Sequence, residues 1–243
     1  MCHYTTLKSF LKIWESKTLK FSLPSRLNDI NEVSKFYFGE HKPMGWTNTT
    51  KLEKEVKLYK QISLTKETNM YSSCMIPAMW GHYGNNGKGV CIRIDISKVK
   101  PSQKVFRGKV KYVKRIEPVT YDKSDLTKFI SMNRGILFFK KTKDWSPEIE
   151  YRLVSKEEGF LDISNAISEV IITSNFGGNG FSGKLFKDTL KPLVTDVKIL
   201  EFCPNGLNGF SLRDEDGNQI YPRPKEEVEV ILDDKLLNQH DRL

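Results

Sequence analysis

The stretch from Met79 to Gly89 limits this chain more tightly than any other. Trp80, His82 and Tyr83 fall within four positions, and Gly84, Asn85, Asn86, Gly87 and Gly89 follow at once. Glycine reaches left-handed backbone angles and lets the chain approach other atoms closely, so the run predicts a turn. The apolar Val90-Cys91-Ile92-Arg93-Ile94 comes next and predicts a strand, so the turn feeds a sheet. Two readings of the aromatics stand side by side. Trp80 and Tyr83, three apart, suit the inner face of a helix that Gly84 stops. With His82, their flat rings also suit the face of a ligand ring.

Around this turn the chain alternates short strands with a few helices. His3-Tyr4-Thr5 predicts a strand, with Thr5 or Thr6 as a helix cap. Leu7, Phe10, Leu11 and Trp14 then make one apolar stripe of a helix ending near Lys17. Leu19, Phe21 and Leu23 alternate as in a strand, Pro24 stops it, and Ser25 to Asp29 is turn-rich. Residues 35–46 are aromatic and irregular, residues 52–59 helical, and residues 61–65 a short strand. Residues 105–113 predict a strand pair or one bent strand. Leu126, Phe129, Ile130, Asn133 and Leu137 predict a helix over 124–141, and Asp144 to Pro147 a turn. Residues 148–154 alternate strictly, residues 169–173 and 197–202 predict further strands, and Asp216-Gly217 a hairpin turn. With no repeat and no long linker, the expectation is one α+β domain over residues 1–243 with mixed or antiparallel sheets and flanking helices. Residues 204–243 read as a peripheral C-terminal extension.

Composition narrows the function classes. At 243 residues, 38% hydrophobic and 28% charged, the chain suits one sizeable globular domain. No apolar run approaches the roughly 20 residues of a membrane span, and Met1 to Tyr4 has no secretory signal character. Cys2, Cys74, Cys91 and Cys203 lack CxxC spacing, which argues against a zinc site or disulfide scaffold and for the cytoplasm. His3, His41, His82 and His240 share no ligand spacing, so no metal is expected. The net charge of +9 favours acidic partners. Between Lys98 and Arg115 there are eight basic residues and no acid. A strand there would present Arg107, Lys109 and Lys111 on a basic face, either merely solvated or a footprint for nucleic acid.

Two stretches carry candidate chemistry. A strand over 148–154 puts Glu148, Glu150 and Arg152 on one face and Ile149, Tyr151 and Leu153 on the other. Carboxylates two residues apart sit roughly 6–7 Å from each other. One can remain ionised to stabilise a developing positive charge while the other adjusts the local field. The plainer reading is a surface salt-bridge ladder. Gly178 to Gly183 is a formal GxGxxG between strand and helix signals, with Glu201 on a later strand. The helix is short and bounded by Pro192, and no further βα units follow, so a loop is the preferred reading.

Three motifs bring in a resemblance. Phe21-Ser22-Leu23-Pro24 with Asn28 to Glu32, Met79 to Tyr83 with Lys88 to Cys91, and Lys141 with Trp145 to Leu153 occur in this order. They resemble the signature of a widespread bacterial and phage family that carries only a domain-of-unknown-function label. Some of its members are similar to abortive-infection proteins. More distantly, His3 to Thr6, the apolar helix and Leu19 to Ser22 resemble the opening of ADP-ribosyltransferase-like domains. That resemblance implies NAD as substrate and a His, Tyr, Glu order here met by His3, Tyr83 and Glu148 or Glu150. It implies that His3 contacts the adenosine ribose, Tyr83 stacks on nicotinamide, and the glutamate holds the nicotinamide ribose. Tyr4, Trp80, His82 and Arg152 join the expected cofactor-binding set. The expected activity is that of a toxin or phage-defence effector modifying nucleic acid or protein, with an antitoxin as a candidate partner. The alternative is a non-enzymatic module that binds a nucleotide or nucleic acid.

Overall fold

In the computed structural model the described residues are 1–24, 46–68, 72–116, 119, 121, 125–173, 188–204 and 210–221. The turn after Pro24, the motif residues Asn28 to Glu32, the stretch 35–45, the Gly178 to Gly183 segment and the chain after Tyr221 lie outside them. So do His41 and His240.

β1 (Cys2–Thr5) runs directly into α1 (Leu7–Ser16). Thr6 caps the helix by accepting the Ser9 N–H, and Lys17 ends it in the left-handed region at φ 52°. Phe10 is the residue that α1 buries completely. β2 (Thr18–Lys20) pairs with β9 (Phe160–Asp162). The strand predicted through Leu23 is shorter than expected, because Ser22 leaves β9 and bridges to Gln61.

Among the described residues the main sheet has nine strands in the order β13-β12-β11-β10-β4-β1-β3-β8-β5. Its further members are β3 (Lys60–Thr65), β4 (Val90–Ile94), β5 (Phe106–Lys109), β8 (Glu150–Ser155), β10 (Ile167–Thr173), β11 (Lys198–Pro204), β12 (Phe210–Arg213) and β13 (Gln219–Tyr221). Only β10 and β11 pair parallel in it, so the fold is α+β with an open mixed sheet. Residues 210–221, within the expected peripheral extension, form the far edge of this sheet. Gly217 turns the β12–β13 hairpin at φ 86°.

Strand alternation sorts the core into faces. On one face Ile62, Leu64, Ile92, Leu153, Val170 and Ile172 pack with Phe10, Leu19 and Phe21. On the other, Cys2, Tyr4, Cys91, Ile171 and Phe202 lie under Met79 and Trp80 of α3 (Pro77–His82). A third cluster joins Val154 to α2 (Trp46–Val56) and α4 (Leu126–Phe138) through Leu52, Val56, Ile130 and Phe138. Ser63 pairs in register with Arg152 and Thr65 with Glu150, so a polar strip of β3 and β8 shares one face. Arg107 and Lys109 pair with Leu153 and Tyr151 on the opposite face.

Residues 105–113 form two short strands, but these do not pair with each other. β5 pairs with β8, whereas β6 (Lys111–Val113) pairs parallel with β7 (Lys140–Thr142). The chain changes sheet at Val110, whose N–H donates to the Glu150 carbonyl while that of Lys111 donates to Phe139. The helix predicted over 124–141 stops at Phe138 because β7 takes the residues beyond it.

β3 also changes partner along its length. Thr65 pairs with Cys2 of β1, but Gln61 exchanges both backbone hydrogen bonds with Ser22. Between these ends the sheet forks.

Candidate active site

The first wall of the site comes from α3 and its turn. Pro77 at the first helical turn suits the start of α3, and Tyr83 follows its last residue. Trp80 belongs to the core, not to a ligand face. Its Nε1 donates to the Cys74 carbonyl at 2.8 Å, and its ring meets Tyr4 edge-on and stacks on Phe202. Burying that indole on three sides leaves no face for a ligand. His82 is exposed, and Tyr83 is half-buried. Asn85, Asn86 and Gly87 take positive φ, and the Gly89 N–H returns to the Gly84 carbonyl at 2.7 Å. A Cβ on Gly89 would lie 2.2 Å from the Thr5 carbonyl oxygen. The glycines thus permit close approach to the protein's own backbone.

The second wall departs from the predicted strand. Lys143–Glu148 is a 3₁₀ helix, and Ile149 ends it in the left-handed region at φ 47°. β8 begins only at Glu150, so Glu148 does not share a strand face with Glu150 and Arg152. A β-branched residue at positive φ costs on the order of 1–3 kcal/mol. Here the Ile149 carbonyl accepts the Lys66 N–H, and its own N–H donates to Ser146. This kink turns both carboxylates towards one lysine. Nor is the cluster a surface ladder: Glu148 is 6%, Glu150 4%, Lys141 4% and Arg152 0% exposed.

Lys141 of β7 donates to Glu148 Oε2 at 2.6 Å and lies 3.1 Å from Glu150 Oε2. Tyr83 donates its hydroxyl to Glu148 Oε1 at 2.5 Å. Arg152 grips Glu150 with two bonds, Nε to Oε1 at 2.6 Å and Nη2 to Oε2 at 2.8 Å. Its Nη1 donates to the Phe138 carbonyl at 2.9 Å. The Glu150 N–H donates to the Tyr112 oxygen at 2.8 Å. Burial raises the Glu148 pKa, Lys141 opposes the rise and the neighbouring Glu150 adds to it, with the net direction upward. Burial also works against charge on Glu150, but Arg152 and then Lys141 outweigh it and pull this carboxyl down to about 2. The two acids have diverged in environment.

His3 of β1 reaches across the fork, with Nδ1 3.3 Å from the Ser63 carbonyl. A carbonyl only accepts, so Nδ1 carries the proton and Nε2 is left as an acceptor. Burial moves the His3 pKa below its ordinary value, and the ring is neutral at pH 7.

A cavity of about 220 Å³ fills the fork. His3, Tyr83, Lys141, Glu148 and Glu150 line it together, with Lys20 and Ser22 of the segment that bridges to β3. Tyr4 lines it as well, while its hydroxyl is bound to the Ser73 carbonyl at 2.6 Å. Of the other expected cofactor-binding residues, Trp80, His82 and Arg152 are not in the lining, and Arg152 acts through Glu150. Arg107, Lys109 and Lys111 are exposed and lie away from it. Lys141 and the polar strip of Gln61, Ser63 and Thr65 were not among the expected site residues. The signals were Lys141, two places beyond Phe138-Phe139, and polar residues alternating with Ile62 and Leu64.

All four cysteines are free and buried. Among the described residues no group of three or more His, Cys, Asp or Glu side chains could hold a metal ion. Among them, no helix is long and apolar enough to cross a membrane. No curated protein and no solved structure matches the chain. Residues 79–153 are similar to a family described as "Protein of unknown function (DUF2971)", a match that runs from Met79 to Leu153 and takes in Tyr83, Lys141, Glu148, Glu150 and Arg152.

Proposed function

We propose that the chain is an ADP-ribosyltransferase-like enzyme that splits the nicotinamide–ribose bond of NAD and modifies a macromolecule. Its setting would be that of a cytoplasmic toxin or phage-defence effector, with an antitoxin as its natural partner. The observation that carries this reading is that His3, Tyr83, Glu148 and Glu150 line one cavity, in the chain order the resemblance implies. Bond cleavage leaves positive charge on the ribose, and a fixed carboxylate lowers the barrier by stabilising it.

Glu148 is the working carboxylate in this reading. It lines the cavity, is oriented by Tyr83 and Lys141, and lacks the arginine clamp that occupies Glu150. Glu150 holds the cation pair in register. Neutral His3 accepts a ribose hydroxyl at Nε2, and the Tyr83 ring lies against the leaving base. A cavity of about 220 Å³ is smaller than the roughly 300–1,000 Å³ of drug-sized sites. It therefore takes the reacting end of a dinucleotide, with the remainder passing the exposed Lys20.

Nicotinamide release by the purified protein, with cell extract supplying acceptors, tests the reading beside Glu148→Gln and Glu150→Gln. Release that a folded Glu148→Gln protein loses supports it. Release that Glu148→Gln leaves unchanged, or none from the wild type, overturns it.

The second reading, a non-enzymatic nucleic-acid module, draws on the exposed Arg107 and Lys109 of β5. Lys66 adjoins Lys109 closely enough for this second ammonium to lower the Lys66 pKa. These cations lie across the sheet from Glu150 and Arg152, so an acid bound there is not held over the cavity. Salt-sensitive nucleic-acid binding that both glutamine variants retain, without nicotinamide release, is the outcome this reading expects.

A further inference from the structure

Lys141 is a buried cation faced by two carboxylates. Its ammonium is 2.6 Å from Glu148 and 3.1 Å from Glu150, and 4.9 Å from the centroid of the Trp145 ring. Lysine is almost never buried unless paired. Arg152 resolves which carboxylate needs it, because its fork already occupies both Glu150 oxygens. Glu148 Oε1 accepts the neutral hydroxyl of Tyr83. The groups facing Glu148 are Tyr83 beyond α3, Lys141 of β7, Glu150 of β8 and Tyr112 of β6. Lys141 is the cation among them, while the Arg152 fork is bonded to Glu150.

We infer that Lys141 is a positioning residue that fixes Glu148 Oε2 and holds that carboxylate in its charged form. The kink at Ile149 is what brings Glu148 within its reach. The role of Lys141 in catalysis rests on the reading of Glu148 as the working carboxylate. Its effect on Glu148 does not, because it is measurable with no substrate present. Removing the ammonium leaves Glu148 buried beside the Glu150 charge, which favours the protonated acid.

The experiment is a pH titration of the glutamate side-chain carboxyl carbons by NMR in carbon-13-labelled protein. Glu148→Gln identifies the Glu148 resonance by its disappearance. In Lys141→Met the Glu148 midpoint is expected to rise by about one pH unit or more, a tenfold weaker acid, whereas Lys141→Arg stays within about half a unit. An unmoved midpoint in folded Lys141→Met overturns the inference. If Lys141→Met does not fold, Lys141→Met combined with Glu148→Gln decides. Restored folding supports the pairing. A double variant that stays unfolded while Glu148→Gln folds assigns Lys141 to Glu150 and overturns it. Neither readout needs NAD, so failure of the enzyme reading would appear in the nicotinamide assay alone.

Discussion

The Tyr83 hydroxyl and Glu148 Oε1 are 2.5 Å apart, although 65 positions separate the two residues in the chain. This bond ties the glycine-rich turn after α3 to the end of the 3₁₀ helix, and so closes one side of the cavity. A hydrogen bond to a charged group contributes about 1.5–3 kcal/mol. Under the proposed chemistry, Tyr83→Phe is expected to slow nicotinamide release by about 10- to 100-fold. Thermal melting of the same variant checks that the protein remains folded.

The two glutamates should separate cleanly in stability. Glu150→Gln leaves the Arg152 guanidinium buried without its carboxylate, a loss of about 3 kcal/mol or more. Glu148→Gln keeps Lys141 beside Glu150 and removes a charge that burial disfavours, so its cost should stay within about 1 kcal/mol. Urea unfolding at pH 7 measures both.

Acid should narrow the first of these differences. The Glu150 pKa is depressed to about 2 in the folded protein, against roughly 4.3 in an unfolded chain. Its stabilisation is therefore complete above pH about 4.3 and is lost as pH falls through about 2. Glu148 has the opposite sign, since its raised pKa makes its ionisation a cost that acid removes. The stability gap between wild type and Glu150→Gln should shrink steadily from pH 4 to pH 2. A gap constant over that range would contradict the clamp.

Gly89 and Gly81 make a matched pair. A Cβ at Gly89 would meet the Thr5 carbonyl oxygen at 2.2 Å and the Gly84 oxygen at 2.8 Å, both backbone atoms that cannot step aside cheaply. Gly89→Ala is expected to cost about 2 kcal/mol or more. Gly81 lies in α3 with nothing within 4 Å of its Cβ position, and Gly81→Ala should stabilise by about 0.5–1 kcal/mol. Denaturant midpoints of the two variants check this.

Local signals carried much of the fold. The Thr6 cap, the apolar stripe around Phe10, the strands β4, β10 and β11 and the Gly217 hairpin follow from spacing and residue type alone. The site was less legible because long-range partners made it. Alternation from Glu148 to Val154 predicted a regular strand, and nothing local marks Ile149 for a left-handed angle. Exposure is nonlocal for the same reason: Glu148, Glu150 and Arg152 read as a surface ladder by alternation, but Lys141 sits against both carboxylates and the Phe138 carbonyl takes Arg152. Trp80 and Tyr83 divide the two readings of their stretch, one going to the core and the other to the cavity. The switch of sheet at Val110 depends on β7 and β8, both distant in sequence.

The order of strands in the sheet has a consequence for how the protein is made. β1 and β3 lie between β4 and β8, yet both belong to the first 65 residues. At a synthesis rate of about 5–20 residues per second, β3 waits roughly 4–20 seconds for β8. Until Ser155 has emerged, the fork has one wall, and Glu148 and Lys141 have no cavity to line. Pairings this distant in sequence close slowly even in a finished chain, because the loop between them must be ordered first. A nascent chain shorter than this therefore contains no assembled site.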